Sequence, residues 1–132
     1  MPAVAKSKKP SVFDPECSAR DALALIASKW AILVLTALAD GPMRNGALLR
    51  KVGGVSQKML TQTLRDLECN GLVARKALQS VPPHVEYRLT PLGKSLGAAL
   101  GGLDRWAERN FPRLDAARAQ HLARHELARR GR

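Results

Sequence analysis

Few side chains in this sequence have a spacing that suggests bond-making chemistry. Cys17 and Cys69 form no CxxC and no cysteine–histidine spacing, so a zinc site is unsupported. His121 and His125 stand i, i+4, as helical metal ligands do, but only Glu126 offers a third donor and no metal is expected. His84 and Glu86 fall on one side of an alternating stretch, with no nucleophile beside them. Cys17 as an enzymatic nucleophile would need a histidine in reach, and none precedes His84. Catalytic residues and cofactors are therefore expected to be none.

The denser chemistry is hydrogen bonding. Between Ser56 and Leu72 runs SQKMLTQTLRDLECNGL, with Ser56 as a helix N-cap and Asn70-Gly71 as a stop. Wound at about 100° per residue, Met59, Leu60, Thr63, Leu64 and Leu67 share one arc. Gln57, Lys58, Thr61, Gln62 and Arg65 share the other. The first arc requires a core. The second is a row of donors with net positive charge, suited to base edges and phosphates.

The elements around this stretch would position it. The chain has 132 residues, enough for one domain with or without tails. Its 22 Lys+Arg against 11 Asp+Glu give a formal net charge of +11, which favours a polyanionic partner such as nucleic acid or an anionic membrane surface. An Arg-rich composition with no such partner is the plain alternative. Residues 1–13 read as a flexible basic arm. A helix is expected to begin around Asp14-Pro15-Glu16, with Leu23, Ile26 and Trp30 at helical spacing. A second helix, Lys29 to Ala39, is apolar nearly all round and should be the most buried. A short third helix, Arg44 to Val52, turns Leu48, Leu49 and Val52 inward, and Gly53-Gly54 makes a tight turn before the donor-rich helix. Leu72–Leu78 and His84–Thr90 form a hairpin, with Val85, Tyr87 and Leu89 on one side. Thr90-Pro91 caps a helix carrying Leu92, Leu96, Leu100, Leu103 and Trp106. Phe111-Pro112 is expected to end that helix, with an Arg-rich extension over 111–132, helical from 113 to 130. The domain proper is read as 14–110. No secretory leader or membrane span is recognised, and the compartment is read as a reducing cytoplasm.

This order is mainly α (α+β): a winged helix-turn-helix with a two-stranded β-hairpin wing and flanking helices. The function class follows. Phosphate contacts are expected from Lys29, Arg44, Lys58 and the wing bases, with the hairpin tip near Lys76, Gln79, Ser80, His84 and Arg88 over the adjacent backbone or minor groove, and Ser56 is counted among the DNA-binding residues. Base readout is expected from Gln57, Thr61, Gln62 and Arg65. A winged-helix module that meets an acidic protein surface, without specific DNA binding, is the alternative.

The residues also resemble the HxlR family of bacterial winged-helix transcription regulators. The resemblance is carried by Ser28-Lys-Trp, by Leu38-Ala-Asp-Gly-Pro-Met-Arg, and by Gly54-Val-Ser-Gln-Lys-Met-Leu-Thr-Gln-Thr-Leu-Arg-Asp-Leu-Glu. It continues through Asn70-Gly-Leu-Val-Ala-Arg and Val81-Pro-Pro-His-Val-Glu-Tyr-Arg-Leu-Thr, and covers roughly Cys17 to Trp106. It implies a homodimer on an inverted-repeat operator, joined by the first and last helices, here through Leu23, Ile26, Leu96, Leu100, Leu103 and Trp106. The same leucines could instead complete the monomer core. It also implies redox or electrophile sensing at Cys17. A thiol in a first helical turn, with Arg20 a turn away, has the setting of a reactive thiol. Asp14, Glu16 and Asp21 oppose this, and a small inert hydrophobe is the other reading. The chain departs from the family where Asn45 replaces a common aromatic, where Ala47-Leu48 replaces a Glu-Leu pair, and where Ser18 replaces a proline after the cysteine.

Overall fold

Three hydroxyl caps open three of the helices in the computed structural model, which describes residues 9–131. Ser28 Oγ accepts from the Ala31 amide (3.5 Å), Ser56 Oγ from Met59 (3.1 Å) and Thr90 Oγ1 from Gly93 (3.0 Å). Each satisfies an amide that the helix itself leaves without a partner. The elements are α1 (Ser18–Ile26), α2 (Lys29–Leu38), β1 (Met43–Arg44), α3 (Asn45–Lys51), α4 (Gln57–Cys69), β2 (Val73–Leu78), β3 (His84–Leu89) and α5 (Pro91–Arg130). The helix expected from Asp14 starts later, because Cys17 takes the N-cap position in an extended conformation. The chain divides into two compact units, Met1–Ala98 and Ala99–Arg132. The basic arm expected over 1–13 lies, for residues 1–8, outside the described residues.

In the first unit α2 is the central element, with Ala31, Val34, Leu35, Ala37 and Leu38 buried, as its all-round apolar pattern requires. Leu60, Thr63, Leu64 and Leu67 of α4 pack toward it, and Leu48, Val52 and Val55 complete this side of the core. The Thr63 hydroxyl, buried with the leucines, donates to the Met59 carbonyl (2.8 Å), so its burial leaves no unpaired donor. Met59 itself was expected inward but is 43% exposed, because it sits in the first turn, at the rim of the buried stripe.

The helix-turn-helix connection uses Gly54 at φ +88°, where a side chain would be strained, and the Trp30 ring lies 3.8 Å from the place its Cβ would take. At the far end, α4 closes with a Schellman motif. The Leu72 amide donates to the Leu67 carbonyl (2.9 Å) and the Gly71 amide to Glu68 (3.1 Å), with Gly71 at φ +75°. Leu72 and Leu67, both buried, make this the motif's usual apolar closure.

The wing has three strands, in the order β1-β3-β2, where two were expected. β1 is a two-residue strand between Pro42 and a helix start, too short to show alternation. Both pairings are antiparallel, with Met43 opposite Tyr87, Val73 opposite Leu89 and Leu78 opposite His84. Thr90 then joins the wing to α5. Its hydroxyl donates to the Gly71 carbonyl (2.6 Å) while accepting from Gly93, and its amide donates to Leu72 (3.1 Å).

α5 corrects another expectation. Pro112 lies inside the helix and does not end it, so residues 113–130 are not a separate helix. Proline forfeits one backbone bond, at a cost of about 3 kcal/mol. The flanking residues are rich in Ala, Leu and Arg, whose propensities favour the helix on both sides. In the turn before it, Asn110 Nδ2 donates to the Trp106 carbonyl (2.9 Å). Helical structure therefore crosses the 110/111 boundary expected for the domain. No single described helix is long and apolar enough to cross a membrane.

Two outcomes are expected in urea unfolding. Leu60→Ala should cost about 2–5 kcal/mol, whereas Lys58→Ala, two residues away, should stay within about 0.5 kcal/mol of the parent. Gly93→Ala should cost about 3 kcal/mol, because its Cβ would collide with the Leu72 backbone carbonyl, which is rigid.

Candidate nucleic-acid interface

The rotation of α4 is set by its leucines, and that rotation turns Gln57, Lys58, Thr61, Gln62 and Arg65 outward, all exposed. The five residues expected to share one arc do share one open face. Their hydrogen bonding is not uniform. Gln62 Nε2 donates to Asp66 Oδ1 (2.9 Å), and Gln57 is bonded to Asn45 and Thr61. Glu68 and Asp66 lie within helical reach of Arg65 but do not pair with it. Glu68 instead lies 4.0 Å from Arg75 of β2, and Asp66 is used by Gln62 and, through its carbonyl, by Asn70. Among the described residues Arg65 has no ion-pair partner.

Thr61, Leu64, Arg65 and Glu68 of α4 line a shallow cleft of roughly 260 Å³ together with Arg75 and Tyr87 of the wing. The helix and the wing thus form one continuous polar surface there. Arg75 was missed by the sequence reading, which took the neighbouring Lys76. The alternation could have found it: Arg75 stands opposite Tyr87, on the side that meets α4.

The other side of the wing collects several of the expected residues. The register sets Arg44 opposite Glu86 and Glu86 opposite Lys76, so the three form one row across the sheet. Arg44 and Lys76 are exposed and flank the carboxylate. Arg88 is the least available of the group. Its guanidinium is held by Glu86 at 3.0 Å, it is half-buried, and its Nε is buried without a partner. His84 is half-buried, Gln79 is exposed, and the Ser80 hydroxyl is turned back onto the Pro82 carbonyl (2.8 Å). Ser56 is used as the α4 cap. Lys29 is exposed with its ammonium 4.6 Å from the centre of the Trp30 ring, a cation–π contact that steadies it at the start of α2.

Elsewhere, Cys17 is half-buried at the N-cap of α1 and Cys69 is exposed at the end of α4, both free thiols. α1 buries none of its residues within the chain; Leu23 is 52% exposed and Ile26 is half-buried. In α5, Leu103 and Trp106 are exposed and Leu96 half-buried. Leu100 belongs to the same expected dimer set. It is 7% exposed, buried already within the single chain, and has little surface left to offer a partner. The His121 and His125 rings meet edge-on at 4.7 Å, and no group of three potential metal ligands exists among the described residues.

The model of the HxlR-like helix-turn-helix family matches residues 25–115. The HTH-type transcriptional regulator YtfH of Escherichia coli is 43% identical over 116 residues, covering 88% of this chain and 92% of the relative. The structure of the ytfH regulator from Salmonella typhimurium superimposes with a TM-score of 0.76 at 44% identity, over 83% of this chain and 98% of that one. The redox regulator HypR in its reduced form superimposes with a TM-score of 0.67 at 34% identity, over 74% and 97% of the two chains. The open donor face of α4 beside a wing, together with these matches, identifies the chain as a member of the HxlR-like helix-turn-helix family and a transcriptional regulator of that type.

Proposed function

We propose that the protein binds an inverted-repeat DNA operator as a homodimer, in the cytoplasm, with α4 in the major groove. The observation that carries this reading is the outward face of α4, with Lys58, Gln62 and Arg65 exposed over a buried leucine stripe. A helix about 10–12 Å across fits a groove about 12 Å wide. Lys58, Arg44, Lys29 and the wing bases Lys76 and Arg75 serve phosphates, and Arg65, free of ion pairs, serves a base edge. Leu23, Ile26, Leu96, Leu103 and Trp106 supply the apolar surface for a second copy, since α1 has no buried residue of its own. Cys17, half-buried at a helix start, is the proposed sensor of an oxidant or electrophile; the likeness to the redox regulator HypR supports it.

Selection of bound duplexes from a random pool tests the reading, and a pseudo-palindrome is the expected result. A scrambled duplex bound equally at matched salt would point to a module without specific DNA binding. Arg65→Ala should cost about 1–3 kcal/mol on the selected operator and relax the preference at one base pair. A uniform loss over all duplexes would make Arg65 a phosphate contact only. Operator release by an oxidant or aldehyde should vanish in Cys17→Ser, and an unchanged response would remove Cys17 from sensing.

A further inference from the structure

Gln57 stands on the exposed face of α4, but its carboxamide is already engaged. Oε1 accepts from Asn45 Nδ2 at 2.8 Å, and Nε2 donates to Asn45 Oδ1 at 3.1 Å and to Thr61 Oγ1 at 3.0 Å. A primary amide has two N–H donors and one carbonyl with two lone pairs. Both donors of Gln57 are spent. The bidentate contact that glutamine makes with adenine needs an N–H for N7 as well as a carbonyl for the 6-amino group. Held in this way, Gln57 can supply only the carbonyl.

The unused capacity lies on its neighbours. One Nδ2 hydrogen of Asn45 is free, Asn45 Oδ1 and Gln57 Oε1 each keep a lone pair, and the Thr61 hydroxyl hydrogen is unassigned. A donor–acceptor pair facing a base would therefore draw its members from different side chains. Asn45 comes from the first residue of α3, twelve positions before Gln57, and is brought to it by the α3–turn–α4 fold. Three bonds converging on one flexible side chain also fix its rotamer before any ligand arrives, which lowers the ordering cost of contact.

We infer that Asn45 is a specificity-determining residue of the reading surface: Asn45, Gln57 and Thr61 act as one unit on one base pair, Asn45 supplying the donor that Gln57 has spent. This rests on the reading of α4 as the DNA-reading helix. The same arrangement gives Asn45 a role although α3 is not that helix.

The test uses the full chain, comparing wild type, Asn45→Ala, Asn45→Asp, Gln57→Ala and the Asn45→Ala/Gln57→Ala double variant. Each is put through selection from a random duplex pool and then titrated with single base-pair variants of the winning duplex. Asn45→Ala and Gln57→Ala should lose about tenfold discrimination at the same base pair and keep the preferences elsewhere. The double variant should be little worse than either single one, as expected of side chains acting as a unit. Asn45→Asp has the same shape but no donor, and should lose the same preference; it guards against an Asn45→Ala chain that fails to fold, which a thermal melt would reveal. A wild-type motif left unchanged in both Asn45 variants, or weakened uniformly over all duplexes, overturns the inference alone. A wild type that selects no motif overturns it together with the reading of α4.

Discussion

The orientation of one helix about its own axis governs everything else in this molecule. Leu60, Leu64 and Leu67 are almost wholly buried, each burial stabilising the fold by about 1.5–3 kcal/mol. A rotation of α4 by one position would expose them. No polar contact on the opposite face competes with that cost, since exposed hydrogen bonds and ion pairs contribute about 1 kcal/mol or less. The apolar stripe thus decides which five polar side chains the protein presents. The caps at Ser56 and Asn70-Gly71 decide only where the helix starts and stops.

This hierarchy explains what could be read from residues alone. α2, α4 and β3 have long or regular patterns set by burial on a known period, and the structure has them within a residue or so of the expected bounds. The caps at Ser56 and Thr90 are local signals with a local mechanism, and both bond as read. β1 was missed because two residues cannot display a period, and it exists only through its partner β3. Pro112 was misjudged because the weight of a whole helix outvotes one missing bond.

The candidate interface was legible in kind and less so in detail. Helical geometry alone places Gln57, Lys58, Thr61, Gln62 and Arg65 together. The pairing of residues far apart in sequence was invisible: Asn45 with Gln57, and Arg75 with Glu68. Nor could alternation reveal that Glu86 would hold Arg88 while sharing a sheet row with Arg44 and Lys76. That row leaves one acid among its bases, so its charge is positive but reduced.

Thr90 fastens two helices with one side chain. Its hydroxyl is bonded to the last turn after α4 on one side and to the first turn of α5 on the other, and Gly93 lets the two backbones come close enough for this. There is no slack side chain in that linkage to absorb a displacement. The opening turn of α5 is thereby riveted to the trailing end of α4 through a single residue.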